Sequence, residues 1–271
     1  MKKVVDLNFL TCPKEELELP SKGKFYKEMT YNNIPTGLEK GIIHIRPLST
    51  KEERNMERIN STNFYNIWAE IIASVTAEQF DPMDLTISDL FYLIYWLRAR
   101  TFGPTYEIKA ECPNCGEEYN DRVNIPDFGT VYLEDDIIEP FELTMPNSGV
   151  RVIFRYPRVK DLVDASKRNY SEKKKKGVKI SPTIYQKVLC TQEMVLPDST
   201  VLTNEEDSEL MIDIYSRMQA SDTMMIDEEY AKYDHGLLEP VMKTCPMCET
   251  VYEQFPVISP DFFRPNFRKS R

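Results

Sequence analysis

The most informative part of the sequence is a pair of short cysteine motifs, Cys112-Pro113-Asn114-Cys115 and Cys245-Pro246-Met247-Cys248. Each motif is a C-P-x-C turn, which we call a knuckle. Four residues after its second cysteine each knuckle is followed by a tyrosine, Tyr119 in the first and Tyr252 in the second. The matching flanks indicate two halves of one structure, separated in sequence by residues 116–244. We interpret the two halves as a zinc ribbon.

The chemistry of the two knuckles favours a structural metal site. A C-x-x-C turn directs two thiolates at one point, and two such turns supply the four sulfur ligands of a tetrahedral Zn²⁺ site. Four protein ligands leave no open coordination position, so the metal would hold structure and would not activate water. Two separate disulfides and free buried thiols are the alternatives, although disulfide frameworks are typical of small secreted chains. The predicted ligands of one Zn²⁺ per chain are Cys112, Cys115, Cys245 and Cys248.

The overall charge argues against a general nucleic-acid-binding protein. The 271 residues carry 34 basic and 44 acidic side chains, which gives a net charge of −10. Binding to nucleic acid needs a basic surface that displaces counterions from phosphate. A zinc-ribbon adaptor that binds nucleic acid is kept as an alternative, and it predicts binding that weakens steeply with salt.

The N-terminal sequence and the apolar runs predict folding in a reducing cytoplasm. Asp6 interrupts the short apolar run after the basic start of the chain, so no secretion signal is predicted. The longest apolar run, Leu90–Leu97, is far shorter than the roughly 20 residues that span a bilayer. We therefore expect no membrane partner, and thiolates that remain available for zinc.

Motifs for catalysis are missing from the sequence. It contains no glycine-rich phosphate loop, no G-x-S-x-G and no H-E-x-x-H, and its only histidines are His44 and His235. We therefore predict that the protein is not an enzyme, with no catalytic residues, no small-molecule substrate and no cofactor besides Zn²⁺.

The hydrophobic pattern predicts a helical N-terminal part. Apolar residues recur at helical spacing over residues 62–79, and residues 85–100 are apolar almost all round, which predicts a buried central helix. Ser49 and Glu52 fit the N-cap and N3 positions of a capping box for a preceding helix. Arg98, near the end of the central helix, is expected to complement its C-terminus or to meet a carboxylate on a partner.

The complete pattern predicts an α+β fold, with a small β-sheet beside the N-terminal helices and a split zinc ribbon flanking a mainly helical insert. Asn147-Ser148-Gly149 predicts a turn between two strands, and Thr203-Asn204-Glu205-Glu206 predicts a capping box that opens a helix. The predicted divisions are an extended N-terminal arm (1–40), a helical N-terminal domain (41–104), the first ribbon half with a β-hairpin (105–156), the helical insert (157–236), the second ribbon half (237–261) and an aromatic, basic tail (262–271).

The C-terminal residues are predicted to dock on a partner. Residues 262–271 contain three phenylalanines, four cations and no acidic side chain. Aromatic rings anchor interfaces, and basic side chains steer association, so docking is favoured over a frayed end. The predicted partner-binding residues are Phe262, Phe263, Arg264, Phe267 and Arg268.

Several segments occur in an order that resembles a known family. An L-P-S-K-G segment (19–23) precedes an I-R-P strand end (45–47), the helix L-T-I-S-D-L-F-Y-L-I-Y-W-L-R-A-R (85–100) and F-G-P-T-Y before the first knuckle. This order resembles the T4-type baseplate hub proteins of bacteriophages with contractile tails, most clearly over residues 19–128. Family members carry a second cysteine pair near the C-terminus. The chain departs from the pattern at Glu249, which replaces the glycine that follows many knuckles.

The resemblance implies a non-enzymatic structural protein of the phage virion, located in the tail baseplate after assembly in the host cytoplasm. Its implied partners are other hub or wedge proteins, tail-tube proteins and the tape-measure protein. We expect the arm to lie extended across its own domain or a neighbouring subunit, with a partly ordered terminus as the alternative, and we expect the arm and the tail to hold these neighbours. A hub assembly chaperone that leaves the mature virion is the alternative within the same family.

Overall fold

The computed structural model describes residues 12–27, 29–176, 181–258 and 262–263, with the backbone only for residues 172–176. Helices make up 37% and strands 24%, which confirms the predicted mixed α+β class. None of the helices in this part of the chain is long and apolar enough to cross a bilayer. The helices are α1 (Thr50–Met56), α2 (Phe64–Val75), α3 (Ile87–Phe102), α4 (Val159–Lys176), α5 (Pro182–Cys190), α6 (Ser208–Arg217) and α7 (Ala220–Ala231).

The strands form one four-stranded antiparallel sheet, ordered β11-β10-β9-β8, and two-stranded pairs β1–β4, β2–β3, β5–β6, β7–β12 and β13–β14. Their bounds are β1 (Glu15–Glu18), β2 (Thr30–Tyr31), β3 (Ile34–Pro35), β4 (Ile42–Ile45), β5 (Thr105–Glu111), β6 (Glu118–Asn124), β7 (Gly129–Val131), β8 (Phe141–Thr144), β9 (Arg151–Phe154), β10 (Thr191–Val195), β11 (Val201–Thr203), β12 (Gly236–Glu239), β13 (Val241–Thr244) and β14 (Val251–Gln254).

The central helix predicted from the apolar run is confirmed as α3. Thr86 caps it, because its side-chain oxygen accepts a hydrogen bond from the Asp89 amide at 3.2 Å. The buried leucines and isoleucine at positions 90, 93, 94 and 97 follow helical spacing and lie on the core side. The capping box predicted for α1 is also confirmed, with Ser49 at the N-cap and Glu52 at N3.

The L-P-S-K-G segment and the residues after it belong to the core. Leu19 and Tyr26 are fully buried, and the Tyr26 hydroxyl donates to the Asp89 carboxylate at 2.5 Å. Gly23 has φ +72°, and a Cβ there would lie 2.4 Å from the Leu38 carbonyl oxygen, so this close approach requires glycine. Of the two positions predicted for the arm (1–40), its own domain or a neighbouring subunit, this segment takes the first, as turns and not as an extended chain. Its apolar side chains gain more by packing against α3 than by remaining in water.

The four-stranded sheet contains strands from both sides of residue 157, where the predicted helical insert begins. The predicted hairpin of β8 and β9 forms, and β10 from the predicted insert pairs with β9, with Thr191 opposite Phe154. The long region between the β5–β6 and β13–β14 hairpins begins with β7 and ends with β12. These two strands pair antiparallel, with Leu237 opposite Thr130. Because β7 follows the β5–β6 hairpin and β12 precedes the β13–β14 hairpin, this pairing brings the two hairpins that carry the knuckles together.

The capping box predicted at Thr203 does not form. Thr203 is the last residue of β11, where it lies opposite Glu193, and α6 begins five residues later with Asp207 as its N-cap. The Asp207 carboxylate accepts a hydrogen bond from the Thr203 amide at 3.1 Å. The strand pairing of Thr203 therefore delays the start of the helix past residues 204–206, which form a turn.

Candidate metal centre

The first knuckle is the turn of the β5–β6 hairpin. The Cys112 amide donates to the Glu117 carbonyl at 3.0 Å, and the Gly116 amide donates to the Cys112 carbonyl at 2.9 Å. Gly116 has φ +70°, a left-handed conformation that glycine adopts at little cost. These bonds close the turn so that both cysteine side chains leave the same end of the hairpin.

The second knuckle repeats the same backbone pattern between β13 and β14. The Cys245 amide donates to the Thr250 carbonyl at 2.9 Å, and the Glu249 amide donates to the Cys245 carbonyl at 3.0 Å. Glu249 has φ +59°, so it takes the left-handed conformation that Gly116 takes in the first knuckle. The replacement of glycine at this position therefore leaves the geometry of the turn intact.

The two knuckles bring their four sulfur atoms together, as the sequence predicts. The Sγ atoms of Cys112 and Cys248 lie 3.6 Å apart, and those of Cys115 and Cys245 lie 3.7 Å apart. All four ligand atoms lie within 4.8 Å of one another, and all four cysteines are free. A tetrahedron with Zn–S bonds of about 2.3 Å has edges of about 3.8 Å. The four cysteines could therefore hold a metal ion with little movement.

Hydrogen-bond donors surround the exposed side of the cluster. The hydroxyl and backbone amide of Thr250, with the Asn114 side-chain amide, lower the pKa of Cys248 to about 6. The Met247 amide also lies 3.4 Å from the Cys245 sulfur. Donors of this kind stabilise the charge of a metal-bound thiolate and orient it. No sequence pattern predicted a role for Asn114 or Thr250, because each is marked only by its place inside or just after a knuckle.

Cys115, the other cysteine on the exposed side, has the opposite tendency. The Glu117 amide favours the Cys115 thiolate, but desolvation and the three neighbouring sulfur atoms raise the pKa of Cys115 to about 12. Four thiolates this close repel one another, so their joint ionisation needs a cation among them.

Protein contacts also join the two ribbon halves. The hydroxyls of Tyr119 and Tyr252, the two residues at matching positions after the knuckles, lie 2.6 Å apart. Lys243 on β13 forms an ion pair with Asp121 on β6 at 2.9 Å. The repeat of tyrosines in the sequence thus corresponds to a direct contact across the ribbon.

Phe262 and Phe263, the first two predicted partner-binding residues, pack against other residues of their own chain. Phe262 is fully buried, with its ring centroid 5.1 Å from that of Tyr95 and 4.7 Å from that of Tyr106. Phe263 packs on Trp68, with 4.9 Å between the two ring centroids. In this conformation the Phe262 ring is not available to a neighbour, because α3 and β5 already cover it. Arg264, Phe267 and Arg268 lie outside the described residues.

Arg98 holds this C-terminal segment in place. Arg98 is 1% exposed, and its guanidinium donates to the Thr105 carbonyl at 3.1 Å and to the carbonyls of Gly103 and Phe262. Burial lowers the pKa of Arg98. The expectation that Arg98 meets a carboxylate on a partner therefore does not hold, because backbone carbonyls of its own chain use its donors.

Comparison with known proteins gives one match, to a protein family. Residues 13–263 fit the sequence pattern of a family described as T4 bacteriophage base plate protein. The chain belongs to this family. Membership confirms the resemblance to T4-type baseplate proteins and extends it over nearly the whole chain. Comparisons with curated proteins and with solved structures found no match.

Membership in the baseplate family indicates where the protein is located and which class of proteins it contacts. The family indicates a structural, non-enzymatic protein of the phage virion tail that interacts with other baseplate proteins. The chain also carries four clustered cysteines that could hold a metal ion.

Proposed function

We propose that this baseplate protein is a structural component of the hub or inner baseplate whose ribbon is held by one Zn²⁺. The observation that supports the proposal most directly is the cluster of Cys112, Cys115, Cys245 and Cys248, gathered from two hairpins far apart in sequence. A tetrahedral set of four thiolates is the ligand set typical of structural Zn²⁺. In such a site the metal links the two ribbon halves, and catalysis is not required.

The bound metal would fix both ends of the region between the knuckles. A link between residues 112 and 248 closes a long loop, and closing long loops restricts the unfolded chain strongly. The β7–β12 pair and the Tyr119–Tyr252 contact already bring the two ends together, so the metal would reinforce an existing arrangement. A rigid ribbon suits a subunit that must present fixed surfaces to several neighbours.

Exposed apolar side chains support a contact surface on the second ribbon half. Met242, Met247, Val251 and Phe255 are 62%, 69%, 58% and 51% exposed. Clustered exposed apolar groups are typical of interaction sites. On the first ribbon half, the exposed positions of β5 are polar or charged: Thr105, Glu107, Lys109 and Glu111. We propose that neighbouring baseplate subunits contact the second half, together with the sequence-predicted tail residues Arg264, Phe267 and Arg268.

The metal content of the purified chain tests the zinc site. We expect about one Zn²⁺ per chain by elemental analysis, and strong loss of bound zinc in Cys112→Ser and Cys245→Ser. Cys12→Ser is the matched control, because Cys12 is exposed and lies outside the cluster, and it should retain the metal. Iron in place of zinc, or equal zinc in all three variants, would refute the proposed site.

The composition of purified virions tests the structural role. Quantitative mass spectrometry should find the protein in intact particles at a fixed ratio to other tail proteins. Its presence in infected cells but absence from mature virions would instead identify an assembly chaperone. The two outcomes differ in virion content and leave the zinc result unaffected.

A further inference from the structure

A groove lies beside the last described residues of the chain. It has a volume of about 760 Å³ and opens between α1, the loop after α1, and α2. Its apolar lining includes Met56, Ile59, Phe64, Tyr65, Trp68 and Phe263. Glu53 and Glu57, one helical turn apart and both exposed, add negative charge to its lining. The groove therefore combines an apolar surface with acidic side chains.

Trp68 forms part of the groove lining. Its ring is fully buried, and its indole N–H has no acceptor among the described residues. Buried indole N–H groups in proteins nearly always find a partner, because an unsatisfied donor carries a free-energy cost.

The last described residue of the chain, Phe263, lies at the groove. Phe263 is part of the lining and packs on Trp68, and the Phe262 carbonyl is held by Arg98. The eight residues that follow have the sequence R-P-N-F-R-K-S-R, with one aromatic ring, four cations and no acid. Four extended residues reach about 14 Å, so the Phe267 side chain is within reach of the groove from Phe263.

We propose that the groove binds the C-terminal residues of the same chain, with Phe267 against the apolar lining and the basic side chains near Glu53 and Glu57. The complementary charges and the ring match the acidic, apolar groove. An occupant from the same chain is favoured over one from a second copy because the tail starts at the groove, so its effective concentration there is high. This inference goes beyond the proposed function, since it concerns the isolated chain. A neighbour that takes the tail in the baseplate would have to displace it from the groove.

Photo-crosslinking in the full-length chain tests this inference. The benzophenone amino acid p-benzoylphenylalanine is placed at position 267, and peptides joined on illumination are identified by mass spectrometry. The matched control carries the same group at position 255, where the native phenylalanine is 51% exposed on the second ribbon half. An equal mixture of ¹⁵N-labelled and unlabelled chains separates links within a chain from links between chains.

We expect crosslinks from position 267 to peptides that contain Met56 or Tyr65, within one chain and several-fold above those from position 255. Glu57→Lys should lower this yield several-fold, whereas Glu118→Lys, at an exposed acid of β6, should leave it unchanged. The absence of groove crosslinks, or groove crosslinks only between chains, would overturn the inference. None of these outcomes changes the virion or zinc measurements, so the two proposals fail independently.

Discussion

Replacement of Phe262 by alanine measures how far the C-terminal segment belongs to the core. The Phe262 ring is fully buried and meets Tyr95, Tyr106 and Phe263 at centroid distances of 5.1, 4.7 and 4.6 Å. Removal of a buried phenylalanine ring leaves a cavity and costs about 3–5 kcal/mol of unfolding free energy. The hydrogen bond from Arg98 goes to the backbone carbonyl and survives the substitution, so the loss reports on the ring.

Urea unfolding of the metal-saturated chain, followed by fluorescence and circular dichroism, is the assay. With a slope of about 3 kcal/mol per molar urea, Phe262→Ala should lower the midpoint by about 1–1.7 M. Phe255→Ala removes a half-exposed ring and should change the free energy by about 0.5 kcal/mol or less. Equal midpoints for the two variants would refute the assignment of Phe262 to the core and would favour a free tail.

Two further predictions concern Glu52 and the knuckle turns. Burial alone would raise the pKa of Glu52, but hydrogen bonds from Arg46 and Ser49 outweigh burial and lower the pKa to about 2. A folded pKa below the unfolded value of 4.5 gives stabilisation that is present above pH 4.5 and lost toward pH 2. Between pH 6 and pH 3 the wild type should therefore lose roughly 2 kcal/mol more unfolding free energy than Glu52→Gln, measured by urea unfolding. Parallel losses in both proteins would contradict this assignment. In the knuckles, Gly116→Ala should cost about 1 kcal/mol more than Glu249→Ala, because only the glycine position gains a side chain in the left-handed conformation. Thermal unfolding of the zinc-loaded variants measures the difference, and equal costs would show that the two turns are not equivalent.

The cluster of four cysteines was predictable because its sequence signal is local and repeated. The C-P-x-C spacing fixes where two sulfur atoms point, and two copies with matching flanks supply the full ligand set. The structure confirms that Cys112, Cys115, Cys245 and Cys248 meet, and it pairs Tyr119 with Tyr252. The central helix α3 was predictable for a similar reason, since its apolar spacing depends on adjacent turns of the same helix.

The placement of the C-terminal phenylalanines was not predictable in this way. A phenylalanine beside arginines has the same sequence pattern whether it packs on its own chain or on a neighbour. The Phe262 carbonyl meets Arg98 across 164 positions of sequence, and Tyr26 meets Asp89 across 63. No short pattern encodes which of many apolar and polar groups become neighbours at such separations. The same reason explains why residues 19–26, predicted as part of an arm, lie in the core.

The sequence by itself determined the chemistry of this protein: the four thiolates, the two matching turns, the α+β class and the resemblance to T4-type baseplate proteins. The tertiary structure decided which surfaces remain open. It pairs β7 with β12 so that the ribbon halves meet, buries Phe262 and Arg98 together, and leaves the apolar side chains of the second ribbon half exposed. Ligand spacing acts over a few residues and can be read along the chain, whereas burial depends on which distant segments exclude water together.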